Sequence, residues 1–301
     1  MRNLVSVIKD IASNRFYWYG SNVESSNQNS RQAQGVDLEH AVKDLLAGVW
    51  EDLHDSREEL YAKHLAYQGS ANNPPDAMLR GGNQGDAFEI KKIASPSKSA
   101  LELNSSPPYS HLTADNSRIT LEAKNCETWD KRDFFYAIGH INQDMMTGNW
   151  LWIVQGSVFA QDHSFYRGIE NDLRPAVSTA LENNGLEPAL TNELGKVNGL
   201  DSLGITNLRV RPMWTIANPT KLFATLEGVN ETRENYLTVH ILLEKSKWDG
   251  LIERQIEVHS ELINLEILKQ IAIHEVEVED PNDGSQTLKC MLIRVIADKP
   301  D

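Results

Sequence analysis

Asp76, Glu89 and Lys91 are the residues whose types and spacing best support chemistry in this sequence. Asp76 follows Pro75, and after twelve intervening residues the chain reads Glu89-Ile90-Lys91. Side chains two apart on a strand share a face, so Glu89 and Lys91 point the same way while Ile90 turns inward. With Asp76 at the start of the partner strand, both carboxylates meet beside the lysine. Two acids and an ammonium at one point suit metal-assisted cleavage of a phosphodiester. The acids would hold Mg²⁺, and Lys91 would orient or deprotonate the attacking water and offset charge on the phosphate. Spacing alone is a weak signal, because Glu-x-Lys on a strand is more often a solvated face. Phe88 and Ile90 strengthen it, since a strand that is apolar on its other face is a buried one.

Other polar residues are arranged around this set. Glu39 lies on a preceding helix and is a candidate further acid. Asp86, after Gly85, is a turn residue and a reserve metal candidate. Lys92 faces opposite Lys91, for structure or phosphate contact. In Leu208-Arg209-Val210-Arg211-Pro212-Met213-Trp214, alternation puts Arg209 and Arg211 on one face. An arginine fork can bond guanine O6 and N7 together, although lone arginine pairs usually make surface salt bridges. Asn198 and Asn207 can read base edges. Ser25 to Arg31, with Ser105 and Ser106, suit phosphate or minor-groove contacts, as well as being ordinary loop residues. The sequence has no P-loop, Gly-x-Gly-x-x-Gly, Gly-x-Ser-x-Gly or His-Glu-x-x-His, and its nine histidines lack ligand spacing. His274 to Glu279 puts three acids on one strand face, a solvated edge.

The elements that must position these residues follow from periodicity. Leu4–Ile11 reads as a short amphipathic helix, Ser21–Gln34 as an exposed loop, and Val36–Leu46 as a helix ended by Gly48. Asn72 to Pro75 cannot be helical. Asp76–Leu79 and Ala87–Ile93 make a β-hairpin around the turn Arg80–Gly85. Ser95–Pro108 reads as a polar loop, Ser117–Trp129 as a helix, and Phe134–Ile141 and Trp150–Phe159 as strands joined by a turn at Asn142–Asn149. Phe165–Leu181 is helical, kinked or split at Pro175. Ile205–Arg211 is a strand, followed by a loop through Pro212 and Pro219. The tail alternates strand and helix over Tyr236–Leu243, Trp248–Ile256, Leu262–Gln270, Ile271–Val278 and Leu288–Ile296. Strands mixed with helices indicate an α/β fold with a mixed central sheet flanked by helices. Glu227–Asn235 is the best boundary. It divides a core at 1–227, carrying the catalytic and recognition elements, from an α/β extension at 228–301 packed on the same domain.

The 301 residues carry a net charge of −14, which argues against a general nucleic-acid coat. Residues 226–301 hold 16 acids against 8 bases, so much of the excess lies in the tail. Lys196 to Lys221 runs the other way, leaving room for a local basic cleft. Cys126 and Cys290 are too few for a disulfide framework or a thiolate zinc site, and read as buried or half-buried bystanders. No apolar run reaches the roughly 20 residues needed to cross a bilayer. Met1–Ala12 lacks the apolar core of a signal peptide, so a cytoplasmic protein is expected.

Several blocks occur together and in order: Asn72 to Leu79, Asp86 to Ile93, Leu103 to Ser106, Leu208 to Trp214, and earlier Asn29 to Gly35 with Leu38-Glu39 and Lys43 to Leu45. They resemble the NgoPII-like type II restriction endonucleases, over roughly Ser25 to Asn218 and more weakly in the tail. The resemblance implies a bacterial restriction enzyme with the PD-(D/E)XK fold. It would need Mg²⁺ and cut double-stranded DNA within a short G/C-rich palindrome, GGCC-like. Asp76, Glu89 and Lys91 would be its catalytic set, Glu39 the helix acid, and Arg209 and Arg211 its guanine readers. The turn Arg80–Gly85 is longer than the family pattern suggests. A palindromic target implies a homodimer, and a restriction system implies a cognate DNA methyltransferase as a genetic rather than physical partner. Two rivals stay open on sequence: a repair or structure-selective nuclease of the same fold, and a non-catalytic DNA-binding regulator.

Overall fold

The computed structural model describes residues 2–13, 30–49, 56–70, 72–93, 95, 97–140, 150–229, 236–267 and 271–298, with side chains for all of these except 30–37, 236, 266–267 and 297–298. Helix α1 (Leu4–Ala12) starts where the Asn3 side chain accepts the Val5 N–H at 3.0 Å, and it buries Leu4, Val7, Ile8 and Ile11 on one face. Helix α2 (Ser30–Ala47) ends at Gly48, whose φ of +73° is the left-handed conformation that closes a helix. A capping box of Ser56 and Glu59 opens α3 (Arg57–His64), which runs directly into β1 (Leu65–Tyr67). Strands β2 (Ala77–Leu79) and β3 (Ala87–Lys92) flank a 3-10 turn at Gly82–Gln84.

The chain continues through β4 (Ala100–Asn104), β5 (His111–Thr113), α4 (Leu121–Asn125), β6 (Lys131–His140), β7 (Trp150–Gln155), α5 (Gly156–Phe159) and α6 (His163–Asn183). It then forms β8 (Gly195–Val197), β9 (Leu208–Val210), β10 (Trp214–Ala217) and α7 (Pro219–Leu222). The last described elements are β11 (Tyr236–Glu244), α8 (Lys245–Glu253), α9 (Ile256–Ile267), β12 (Ile271–Asp280) and β13 (Asp283–Asp298).

Among the described residues, nine strands form one mixed sheet in the order β1-β2-β3-β6-β7-β11-β13-β12, with β5 paired to β6. β3 is parallel to β6 and β11 is parallel to β7, while the other neighbours are antiparallel. The fold is therefore the expected α/β class. One sheet face packs Phe88, Ile90, Phe135 and Ile153 against α1, α2, α8 and α9. The other packs Ala87, Phe134, Tyr136 and Trp152 beneath β4, β10 and α7. β3 lies inside the sheet, and each of Phe88 and Ile90 contributes about 1.5–3 kcal/mol by leaving water. The segment after residue 227 supplies β11, β12 and β13 to this same sheet. Edge strand β12 exposes Glu275, Glu277 and Glu279, as the alternation predicted.

Several elements differ from the sequence expectation. α2 begins at Ser30, because Arg31, Gln32, Ala33 and Gln34 are good helix formers; the rest of the expected Ser21–Gln34 loop lies outside the described residues. Ser95–Pro108 contains β4, whose Leu101 and Leu103 are buried and which pairs with the equally unanticipated β10 more than a hundred residues away. The helix expected over Ser117–Trp129 shrinks to α4. Thr120 caps its start, and Glu127 is drawn away by the Gly81 and Gly82 N–H groups and by Arg132. β7 stops at Gln155 and turns into α5 at Gly156, where a Cβ would lie 2.3 Å from Tyr109 O. α6 is continuous through Pro175. The strand expected at Ile205–Arg211 narrows to β9, and two successive helices, α8 and α9, lead into a β12–β13 hairpin. The turn expected at Asn142–Asn149 lies outside the described residues.

Candidate active site

The β2–β3 hairpin brings the three residues together. Phe88 O accepts the Asp76 N–H at 2.8 Å, which starts the pairing, and the Asp76 side chain then accepts the Ile90 N–H through Oδ2 at 2.7 Å. Asp76 thus reaches across to the strand carrying Glu89 and Lys91. The Lys91 amine lies 2.6 Å from Glu89 Oε1. Glu89 and Lys91 share the sheet face away from α1 and α2, with Phe88 and Ile90 on the other, as strand periodicity requires. Gly69 makes the approach possible. Its φ is +89°, and a Cβ there would sit 2.4 Å from Asp76 O.

Burial and the neighbouring Glu89 carboxylate raise the Asp76 pKa to about 7, against the downward pull of Lys91 and the Ile90 N–H. Burial works to lower the Lys91 pKa, but Glu89 and Asp76 outweigh it and hold the amine above the ordinary lysine value. Lys91 is therefore an ammonium at neutral pH in this arrangement. That favours orienting water and offsetting phosphate charge over removing a proton.

The acids fit a divalent cation. Glu89 Oε2 is buried without a hydrogen-bond partner, and Asp76 is protonated easily because it is buried and a second carboxylate crowds it. A cation between them would relieve both conditions. Among the described residues no cluster of three or more His, Cys, Asp or Glu side chains gathers at one point. Two carboxylates, with water and substrate oxygens completing the shell, are how Mg²⁺ is commonly held.

Asp76, Glu89 and Lys91 open onto a cleft of about 820 Å³ that Asn73, Ser105, Ser106, Arg118 and Arg211 also line. Ser106 Oγ donates to Tyr109 OH at 3.2 Å, and Ser105 O accepts from Arg118 Nη1. Arg118 Nη2 is held by both oxygens of buried Glu170, at 2.8 and 2.6 Å. Arg118 and Glu170 carry no local signal in the sequence; only folding brings them to the cleft.

The remaining candidates fall outside this centre. Glu39 pairs with Lys43 at 2.5 Å, and the Lys43 amine also donates to Gln68 O, so Glu39 stands at the margin, where its charge still acts on Asp76 and Lys91. Asp86 does not line the cleft and is buried against Lys247, whose amine bridges Asp86 and Asp133 at 2.6 Å each. Lys92 faces opposite Lys91 and does not line the cleft. Arg209 and Arg211 share a face, as expected, and both pair with Glu193; of the two, Arg211 lines the cleft. Asn207 Oδ1 accepts the Gly199 N–H at 3.2 Å and closes a loop, and Asn198 is exposed nearby. Ser25 and the Arg31 side chain lie outside the described residues. Cys126 and Cys290 are free thiols, half-buried and buried.

Residues 2–279 match the family described as NgoPII restriction endonuclease. The type II restriction enzyme NgoPII of Neisseria gonorrhoeae is 34% identical over 292 residues, covering 97% of this chain and 98% of that protein. No solved structure matches the chain. Among the described residues no helix is long and apolar enough to cross a membrane. With the family matched across nearly its whole length, the chain belongs to the NgoPII restriction endonuclease family and is a type II restriction enzyme.

Proposed function

We propose that the protein makes Mg²⁺-dependent double-strand cuts in DNA at a short G/C-rich palindrome, GGCC-like by family resemblance. Asp76 and Glu89 hold the metal, Lys91 acts beside them, and Glu39 contributes from the margin. The observation that carries this reading is the meeting of Asp76, Glu89 and Lys91 at the wall of one cleft, with Glu89 Oε2 buried and unpartnered. When bound, the divalent ion supplies positive charge to the scissile phosphate and activates water. Asp76 keeps its orientation through the Ile90 N–H. Lys91, as an ammonium, donates to the phosphate or the attacking water and stabilises charge that grows in the transition state.

Arg209 and Arg211 read guanine. Ser105, Ser106, Arg31 and Lys92 serve backbone contacts, and Asn198 and Asn207 serve base edges. Residues 1–227 carry the nuclease centre and the recognition elements, and 228–301 extend the same sheet within one domain. The working form is a homodimer, since a two-fold protein matches a palindrome and places one centre on each strand. It acts in the bacterial cytoplasm, alongside a cognate methyltransferase that protects the host sites.

Plasmid digestion tests this reading. Discrete fragments with Mg²⁺ and none with EDTA are expected, from a species whose light-scattering mass is near twice 33.9 kDa. A smear, or cutting confined to flaps and mismatches, would move the assignment to a repair or structure-selective nuclease. Retardation of DNA without cutting under any metal would make the protein a regulator.

A further inference from the structure

Arg209 and Arg211 converge on one acid, Glu193. Glu193 Oε2 accepts from Arg209 Nε at 3.0 Å, and Oε1 accepts from Arg209 Nη2 and, at 2.6 Å, from Arg211 Nε. The acid is itself held in place. Its N–H donates to Thr191 Oγ1 at 3.1 Å, and the Leu194 N–H donates to Val210 O at 3.0 Å, on the residue between the two arginines. The Glu193 side chain is 16% exposed, against 54% for Arg209 and 41% for Arg211. The carboxylate thus forms the base of the cluster, with the guanidinium groups outermost.

All these bonds fall on the Nε side of the guanidinium groups. Arg209 uses Nε and one hydrogen of Nη2, and Arg211 uses Nε. The outer edge of each group, Nη1 with a hydrogen of Nη2, lies outside the pairing. That edge is a planar two-donor fork matching O6 and N7 of a guanine. An untethered arginine samples many rotamers and offers its fork to phosphate as readily as to a base. Tethered at Nε to a fixed carboxylate, it presents the fork in one direction. The carboxylate also cancels part of the attraction to phosphate, so base contacts gain in relative weight.

We propose that Glu193 is the positioning residue for sequence discrimination, holding Arg211 and Arg209 so that their outer edges read guanine. The inference rests on the site-specific nuclease reading above.

Digestion of a mapped plasmid by the full-length protein and by Glu193→Gln, with fragment ends sequenced, tests it. The sites cut by the unaltered protein serve as the reference, so the identity of the recognition sequence need not be assumed. The variant is expected to cut additional sites one base pair away. Its preference for the reference site should fall roughly 5- to 150-fold, equivalent to losing one guanine contact of ~1–3 kcal/mol at ~1.4 kcal/mol per decade. Its binding to a duplex lacking the site, measured in Ca²⁺, should tighten and become more salt-dependent. A merely structural loss would weaken binding to all duplexes together. Glu193→Asp keeps the charge and should retain most of the preference.

Unchanged sites and preference in Glu193→Gln would overturn the inference. So would faster cutting at unchanged preference, which would make Glu193 a latch released on binding. If the unaltered protein gives no discrete fragments, the site-specific nuclease reading falls and this inference falls with it. If it does give them and the variant matches it, only the inference falls.

Discussion

At the scale of single residues, the proposed chemistry turns on Lys91 and Asp76. Lys91 is held as an ammonium by two carboxylates, so its charge and hydrogens are its assets. Lys91→Ala should reduce the rate of plasmid cutting by about 10²–10³-fold, the usual cost of losing one donor aimed at charge that grows in the transition state, while gel-shift binding in Ca²⁺ persists. Full activity in that variant would remove Lys91 from the mechanism. Asp76 is buried beside Glu89, and its pKa of about 7 reflects first that burial and then the Glu89 charge. Mg²⁺ should therefore stabilise the protein by neutralising the pair. At a hundred times its dissociation constant the gain is about 2.7 kcal/mol, enough to raise the melting temperature by several degrees. Asp76→Asn should lose that increase, a readout independent of DNA cutting.

The hairpin is the element on which the centre depends, and its shape is set by glycines as much as by the acids. Gly69 lies under Asp76, and Gly85 closes the turn with a would-be Cβ 2.2 Å from Leu79 O. Gly69→Ala combines a left-handed backbone with a clash against backbone that cannot swing aside. It should cost about 2–4 kcal/mol in urea unfolding and slow cutting by displacing Asp76. A stability loss with full cutting would show that the hairpin tolerates the shift. The hairpin was legible from Pro75-Asp76, the glycine-rich turn and the alternation of Phe88 to Lys91, all local signals. β4 and β10 were not, although Leu101 and Leu103 alternate, because each is a short strand completed only by a partner more than a hundred residues away.

At the scale of the whole molecule, the tail is part of the sheet that carries Glu89 and Lys91. β11 enters beside β7, and α8 carries Lys247 to Asp86 and Asp133 at the base of β3 and β6. Asp86 is 1% exposed, so removing its cation leaves a buried charge without compensation. Lys247→Met should destabilise the fold by about 3–5 kcal/mol in denaturant melts. A change within about 0.5 kcal/mol, the range of ordinary surface substitutions, would show that the three charges are dispensable.

The amino-acid sequence alone determined the acid pair, its lysine, the hairpin and the two arginines on one face, because each depends on spacing of two residues along a strand or on a turn that proline and glycine dictate. Tertiary structure decided the partners. Glu193 beneath Arg209 and Arg211, Glu170 behind Arg118, and Lys247 against Asp86 are ion pairs between segments distant in sequence. Periodicity places a side chain on a face but carries no information about the opposing face, and there the choice between a DNA contact, a strut and a catalytic group is made.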